Sequence, residues 1–451
     1  MTHGAKKTYY FLGIGGIGMS ALARFFKRQG NDVSGYDKTP TKLTRELVAE
    51  GIDVHYQEDI AAIPAQVDLV VYTPAVPKEH AEYRYFVENN FPMKKRAEVL
   101  GEVVKNNFLI AVAGTHGKTT ITGMIAHIFQ SAGIPVNAFI GGIVKNFQSN
   151  ILYTENAVVA VTEADEYDRS FLSLNPDIAI ISAIDADHLD IYSDKKNLVD
   201  SYHAFAGNIN PAGSLIIKKG LPGPAEHVYS MYHYDKSAVS DFYAKDVFIK
   251  NAGYNATICL QGEEIQLAIN IPGRHNIENA VAAAAACYLF GIDASEIKCG
   301  IEAYEGVVRR FDVRYQQGNT IYIDDYAHHP EELRAFISTI RELYPDKKIT
   351  GIFQPHLYSR TRDFAPEFAE VLDQLDEAIL LDIYPARELP LEGITSHTIL
   401  DRMKIADKKI LSKELLLDEL RHKETQVVLT MGAGDIDQLI EPIIAVLKEK
   451  K

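Results

Sequence analysis

The chain has 451 residues, with 46 Lys plus Arg against 61 Asp plus Glu and a formal net charge of −15. That length exceeds what one hydrophobic core serves and points to two or three domains. The acidic balance argues against general nucleic-acid binding, which calls for a basic surface, although it leaves room for a local basic pocket for phosphates. Cys259, Cys287 and Cys299 form no CxxC pair and read as incidental thiols of a reducing compartment. The N-terminus is basic and then apolar, but glycines break the apolar run at once, so no signal peptide is expected. No apolar run approaches the roughly 18 residues of a membrane span, so a cytoplasmic protein is expected.

In chain order, Tyr9 to Ile14 reads as a strand, Met19 to Arg28 as a helix, and Asp32 to Tyr36 and Val67 to Tyr72 as further strands. This βαβ rhythm implies a parallel sheet covered by helices. A second cycle starts near Asn106. The buried-strand run Phe108 to Ala113 leads into a glycine loop and a helix from Thr119 to Ala132. Ala157 to Thr162 and Ile178 to Ala183 are strand-like. Residues 213–271 hold short alternating runs and read as an insertion or an antiparallel edge. Asn276 to Phe290 reads as an alanine-rich helix. A third cycle starts near Arg310, with strands at Thr320 to Ile323, Ile349 to Phe353, Ala378 to Leu381 and Val427 to Leu429. The expected fold class is α/β with three domains, each a mostly parallel sheet with helices. The first (1–106) and third (310–451) are Rossmann-like, and the second (107–309) resembles a phosphate-loop ATPase.

Two glycine loops follow strands and open helices. The first, Gly13-Ile-Gly15-Gly16-Ile17-Gly18, allows a tight turn and a close backbone approach to a diphosphate at a helix N-terminus. Asp37, at the end of the next strand, stands where a dinucleotide fold keeps its ribose acid. In isolation this pattern suggests a nicotinamide cofactor. The second, Gly114-Thr115-His116-Gly117-Lys118-Thr119-Thr120, is a shortened phosphate loop with Val112 where the eight-residue pattern wants glycine. Its N–H groups can cradle phosphates, Lys118 can reach the outer phosphates of ATP, and Thr119 can offer a hydroxyl to Mg²⁺. Two such loops in separate domains imply two phosphate-bearing ligands, which a plain dehydrogenase does not need.

Acidic clusters follow two strands of the second cycle: Glu163-Ala-Asp165-Glu166, and Asp185-Ala-Asp187-His188-Leu-Asp190. Oxygen donors with a histidine, at the strand ends where open α/β sheets bind ligands, suit Mg²⁺.

With these segments in view, the chain resembles the Mur ligase family. The matching stretches are GIGGIGMSALA, AGTHGKTT, EADEYDRSF, DADHLDIY, GRHNIENA, RRFD, DDYAHHPEE and FQPHLYSRTRD, in family order across nearly the whole length. The resemblance implies domains for a UDP-sugar, ATP and an amino acid. It implies that the lactoyl carboxylate of UDP-N-acetylmuramate attacks the γ-phosphate of ATP, and that the amine of L-alanine then attacks the acyl phosphate. On the same ground Gly15, Gly16, Ile17 and Gly18 would hold the UDP diphosphate, and Lys118, Thr119 and Thr120 the ATP phosphates and Mg²⁺. Glu163 and His188 match metal ligands, Asn276 and Asn279 match residues facing the adenine, and Arg310 matches an arginine reaching toward ATP phosphates. Asp325 matches a ribose-side acid, and His328 and Arg360 match the amino-acid pocket. Leu357 stands where many relatives have arginine.

The chemistry agrees with the resemblance. A carboxylate attacking a polyanion needs charge neutralisation more than a covalent nucleophile, and arginine can fix the carboxylate of an amino acid by bidentate pairing. Two other readings stand beside it: a recycling ligase that adds a tripeptide to the same sugar nucleotide, and a nicotinamide-dependent oxidoreductase built on Gly13 to Gly18 and Asp37. The expected assembly is a monomer or weak homodimer, without nucleic-acid or membrane partners.

Overall fold

The computed structural model describes residues 6–185, 195–224, 230–237, 240–250, 253–386 and 388–450. Among these, helices cover three sheets of five, ten and six strands. The first two sheets belong to one compact unit that ends at Gly306. The third sheet, with the short stretch Ile271–His275, forms the other. No helix among the described residues is long and apolar enough to cross a membrane.

In the first sheet, β1 (Thr8–Leu12), β2 (Asp32–Tyr36), β3 (Asp53–His55), β4 (Leu69–Tyr72) and β5 (Met93–Lys95) lie in the order β3-β2-β1-β4-β5, all parallel. The order reverses between β1 and β4, so the loops after these two strands diverge and leave a crevice at their carboxyl ends. The helix Ile17–Arg28 starts at this crevice, with Gly16 as its N-cap.

In the second sheet, β6 (Phe108–Ala113), β7 (Val136–Val144), β8 (Ser149–Leu152), β9 (Val159–Glu163) and β10 (Ile178–Ile181) are followed by β11 (Ser214–Lys218), β12 (Ser230–Asp235), β13 (Phe242–Lys250), β14 (Gly253–Leu260) and β15 (Glu263–Ile269). β6 lies between β10 and β9, parallel to both. Its run FLIAVA is apolar throughout because both faces are covered, and its residues after Phe108 are buried. The segment 213–271 proves to be part of this sheet. β11 and β12 extend it in parallel, and only β13, β14 and β15 make the expected antiparallel edge. Exposed and buried residues alternate along β13 and β15, nearer the sheet edge, whereas β11 and β14 are almost wholly buried. The helix Arg274–Phe290 is buried from Asn276 to Cys287, and its Phe290 ring meets Phe108 and Phe129. A helix apolar on all sides belongs inside a protein, and its alanines permit close packing.

In the third sheet, β16 (Asp312–Gln317), β17 (Thr320–Asp325), β18 (Ile349–Phe353), β19 (Glu377–Leu380), β20 (Lys408–Ile410) and β21 (Val427–Met431) lie in the order β16-β17-β21-β18-β19-β20. β16 is antiparallel and the others are parallel. The loops after β17 and β18 therefore emerge on either side of the end of β21.

A buried polar cluster fixes the helix Ile17–Arg28 to the second sheet. Arg24 pairs with Glu50 at 2.6 Å and donates to Asn150 Oδ1 at 2.6 Å. Asn150, fully buried on β8, donates to Ile17 O at 2.6 Å and Ser20 Oγ at 2.8 Å. Every hydrogen-bonding group of its amide head that this cluster uses is inaccessible to water, so losing one partner strands the other. Asn150→Leu should destabilise the protein by about 1–3 kcal/mol, seen as a lower thermal midpoint. An unchanged midpoint would mean that this helix is anchored elsewhere.

Candidate functional site

The second glycine loop turns directly from β6 into the helix Lys118–Ser131. Gly117 caps that helix at φ +84°, a left-handed conformation that costs a side-chain-bearing residue energy. The loop is braced by the residue that follows β10: Ser182 Oγ donates to Ala113 O at 3.2 Å and His116 O at 2.5 Å. Asp185 N donates to Thr115 Oγ1 at 3.1 Å, and His116 Nε2 lies 3.3 Å from the Asp185 carboxylate. That histidine contact, more than any other, holds the Asp185 carboxyl below its usual range. Asn276 and Asn279, both buried, bond to each other at 2.9 Å, and the Asn279 side chain packs against Gly117.

Three carboxylates leave the turn after β9 in three directions. Glu166, almost fully buried, takes Lys118 Nζ at 2.8 and 3.0 Å, while the same ammonium donates to Gly114 O at 2.6 Å. Burial alone would lower the lysine pKa, but the Glu166 and Asp165 charges outweigh it and raise the pKa, so Lys118 stays protonated. Glu163 accepts from Gly141 N at 2.5 Å, with the Thr119 hydroxyl beside it. Burial pushes its carboxyl above the usual range, against the Gly141 bond, the Lys118 charge and the Thr119 bond. Asp165 lies 3.7 Å from the Arg96 guanidinium. His188 and the rest of the segment 186–194 lie outside the described residues.

At the first glycine loop, Gly13 N and Ile14 N donate to Tyr36 O, at 2.8 and 3.0 Å. Asp37 accepts from Gly15 N at 2.8 Å and from Thr39 N at 3.0 Å, so this acid clasps the loop as well as facing the crevice. One cleft of about 550 Å³ runs from Gly16, Gly18 and Asp37 past Arg96 to Gly141 and Glu163. It therefore joins the first glycine loop to the carboxylate that lies beside Thr119 of the second loop.

In the other unit, Asp325 accepts from Phe311 N at 2.6 Å and Ala327 N at 2.8 Å, and burial pushes its carboxyl up to about 6. Arg310 lies over the Tyr326 ring at 5.2 Å, with Glu332 at 3.9 Å. His328 Nδ1 is 3.0 Å from Tyr326 O and 3.2 Å from Glu332. Its ring meets His356 of the loop after β18, 5.7 Å between centroids. His329 is the N-cap of the helix Pro330–Leu343, accepting from Glu331 N. Arg360 lies in the short helix Tyr358–Asp363 that follows. Its N-cap Leu357 has φ +70° and a buried side chain, an unusual backbone for a bulky residue. Leu357 N→Tyr384 O and Thr361 Oγ1→Leu357 O, at 2.9 and 2.8 Å, hold it there.

Ser182, Gly141 and Arg96 escaped the sequence reading. Ser182 stood inside an apolar strand run and Gly141 in a segment without a motif. Arg96 closed the basic run Lys94-Lys95-Arg96, which reads as a solvated surface.

The family models that match the chain are Mur ligase family, catalytic domain (residues 8–108), Mur ligase middle domain (112–287) and Mur ligase, glutamate ligase domain (309–434). The UDP-N-acetylmuramate–L-alanine ligase of Flavobacterium johnsoniae is 47% identical over 98% of this chain and 98% of that protein. The enzyme of the same name from Parabacteroides distasonis is 47% identical over 97% and 96%. Among solved structures, the UDP-N-acetylmuramate-alanine ligase of Thermotoga maritima superposes with a TM-score of 0.84 at 27% identity, covering 98% of this chain and 100% of that one.

A methyl group at Gly141 would sit 2.6–2.9 Å from the Glu163 carboxyl atoms. Gly141→Ala should therefore turn that carboxylate away and slow ATP turnover by about a hundredfold, while the thermal midpoint stays near that of the unaltered protein. Normal turnover would show that the position of Glu163 is not critical.

Proposed function

The chain belongs to the Mur ligase family, and from that premise we propose that it joins L-alanine to the lactoyl carboxylate of UDP-N-acetylmuramate, with ATP converted to ADP and phosphate, in peptidoglycan precursor synthesis. Relatives of that activity match it over nearly their whole length. The observation that carries the reading is the cleft leading from the first glycine loop to Glu163 beside the phosphate loop. A substrate anchored by its diphosphate at Gly15 to Gly18 extends its acid end toward the ATP site.

In this reading Asp37 serves the sugar nucleotide, and the loop Gly114 to Thr120 holds the ATP phosphates, with Asn276 and Asn279 behind it. Lys118 leaves Glu166 and Gly114 O to neutralise the phosphoryl group as the substrate carboxylate attacks it. The amine of L-alanine then displaces phosphate from the acyl phosphate. His328 and Arg360 belong to the amino-acid pocket, and Arg310 and Asp325 retain the ATP-side roles that the family match implies. The Thr119 hydroxyl and Glu163 carboxylate are neighbouring hard oxygen donors, and they fit a divalent cation such as Mg²⁺, with His188 as the further ligand. When bound, Mg²⁺ neutralises charge on the phosphate oxygens. A cytoplasmic monomer or weak homodimer completes the proposal. The oxidoreductase reading leaves the phosphate loop without a task.

Phosphate release should require ATP, Mg²⁺, UDP-N-acetylmuramate and a small L-amino acid together. Rapid release indifferent to the sugar nucleotide would sink the proposal. Lys118→Ala should abolish ligation and leave UDP-sugar affinity nearly intact, because the lysine belongs to the second sheet and the sugar nucleotide to the first. Calorimetry showing equal loss of UDP-sugar binding would contradict that division.

Arg360→Ala should raise the KM for L-alanine about ten- to a hundredfold and that for ATP far less. A carboxylate paired with a partly buried arginine contributes about 1.5–3 kcal/mol. An unchanged amino-acid KM, with normal folding, would place the carboxylate contact elsewhere.

A further inference from the structure

The helix Arg96–Val104 begins where β5 ends, and its first residue faces the cleft. The Arg96 guanidinium lies across the start of the helix Ile17–Arg28. A Cβ built on Gly18 would meet Arg96 Nη1 at 2.7 Å, Cδ at 3.2 Å and Cζ at 3.3 Å, its three nearest neighbours. On its other side the guanidinium is 3.7 Å from Asp165, too far for a hydrogen bond, and its side chain is 26% exposed. Among the described residues this is its one ion pair.

The charge inventory of the cleft makes this position significant. Asp37, Glu163 and Asp165 bring carboxylates to it, and a nucleotide diphosphate adds further negative charge. A helix N-terminus offers only about half a positive charge. Of the lysine and arginine side chains among the described residues that line the cleft, Lys38 is exposed at its rim, whereas Arg96 is held against the loop that would receive the diphosphate. A guanidinium presents paired donors matched to phosphate oxygens.

We propose that Arg96 clamps the diphosphate of the sugar nucleotide against the start of the helix Ile17–Arg28, exchanging its loose contact with Asp165 for bonds to the phosphate oxygens. Gly18 is then glycine because a side chain there would displace the clamp. The proposal rests on the UDP-sugar reading of the cleft. It gives Arg96 a binding role in the first domain that is separate from the phosphate loop of ATP.

Calorimetry with UDP and, separately, with ATP tests this on the full chain. Arg96→Ala should weaken UDP about ten- to a hundredfold and change ATP affinity by less than about twofold. Arg96→Lys, which keeps the charge and most of the packing but not the paired donors, should fall between the two. Gly18→Ala needs no left-handed backbone and should weaken UDP in the same direction by pushing the guanidinium aside. UDP affinity within about twofold of the unaltered protein in Arg96→Ala overturns the proposal. So does equal weakening of UDP and ATP by Arg96→Lys, which would make the arginine a structural brace on the Asp165 turn. If the unaltered protein fails to bind UDP even at millimolar concentration, the sugar-nucleotide reading itself falls, an outcome distinct from a failure of Arg96 alone.

Discussion

A partly buried lysine ammonium at the end of a parallel sheet needs counter-charge, and the arrangement around Lys118 follows from that requirement. The phosphate loop places it there: β6 ends, Gly117 turns left-handed, and the lysine is the first residue of the next helix. Glu166 meets the ammonium from the turn after β9, itself buried and held by the lysine. Each charge would be costly alone. Together they form a preset ion pair that a polyanionic ligand can replace, since phosphate oxygens offer the lysine the same partnership that Glu166 gives it now.

The same turn divides labour among residues that are near neighbours in the chain. Glu163 looks toward Thr119 and Gly141, Asp165 toward Arg96, and Glu166 toward Lys118. The turn thereby connects the two glycine loops, one through a carboxylate at the phosphate loop and the other through an arginine at Gly18. The anchored helix Ile17–Arg28 supports this connection, because Arg24 and Asn150 tie it to the second sheet. A ligase that activates one substrate with another needs this kind of fixed relation, since orientation of the reacting groups contributes a large part of the rate.

The strand-loop-helix units were legible because each writes a local signature: an apolar run, glycines where the backbone must turn, then helical periodicity. That was enough for the Gly13 and Gly114 loops and for placing acids at strand ends. It could not separate Glu163, Asp165 and Glu166, because their directions depend on turn dihedrals rather than residue type. Arg96 was illegible for a different reason. Its meaning comes from Gly18, 78 positions earlier in the chain, and a basic run before a helix looks like a solvated surface. Of the adjacent histidines, His329 took the capping position before Pro330 and left His328 against His356, a choice that backbone geometry makes. The parallel strands β11 and β12 read as part of an edge because strands this short, between turn residues, carry no sign of whether their neighbour runs parallel or antiparallel.

The central claim is that the cleft delivers the substrate's own carboxylate to the phosphoryl group held at Lys118. The most direct measurement uses UDP-N-acetylmuramate carrying heavy oxygen in its lactoyl carboxylate, with ATP and L-alanine, and mass analysis of the phosphate released. The account predicts one labelled oxygen in that phosphate, transferred when the acyl phosphate forms and breaks. Phosphate that takes its new oxygen from water alone, while the amide product still forms, would contradict it.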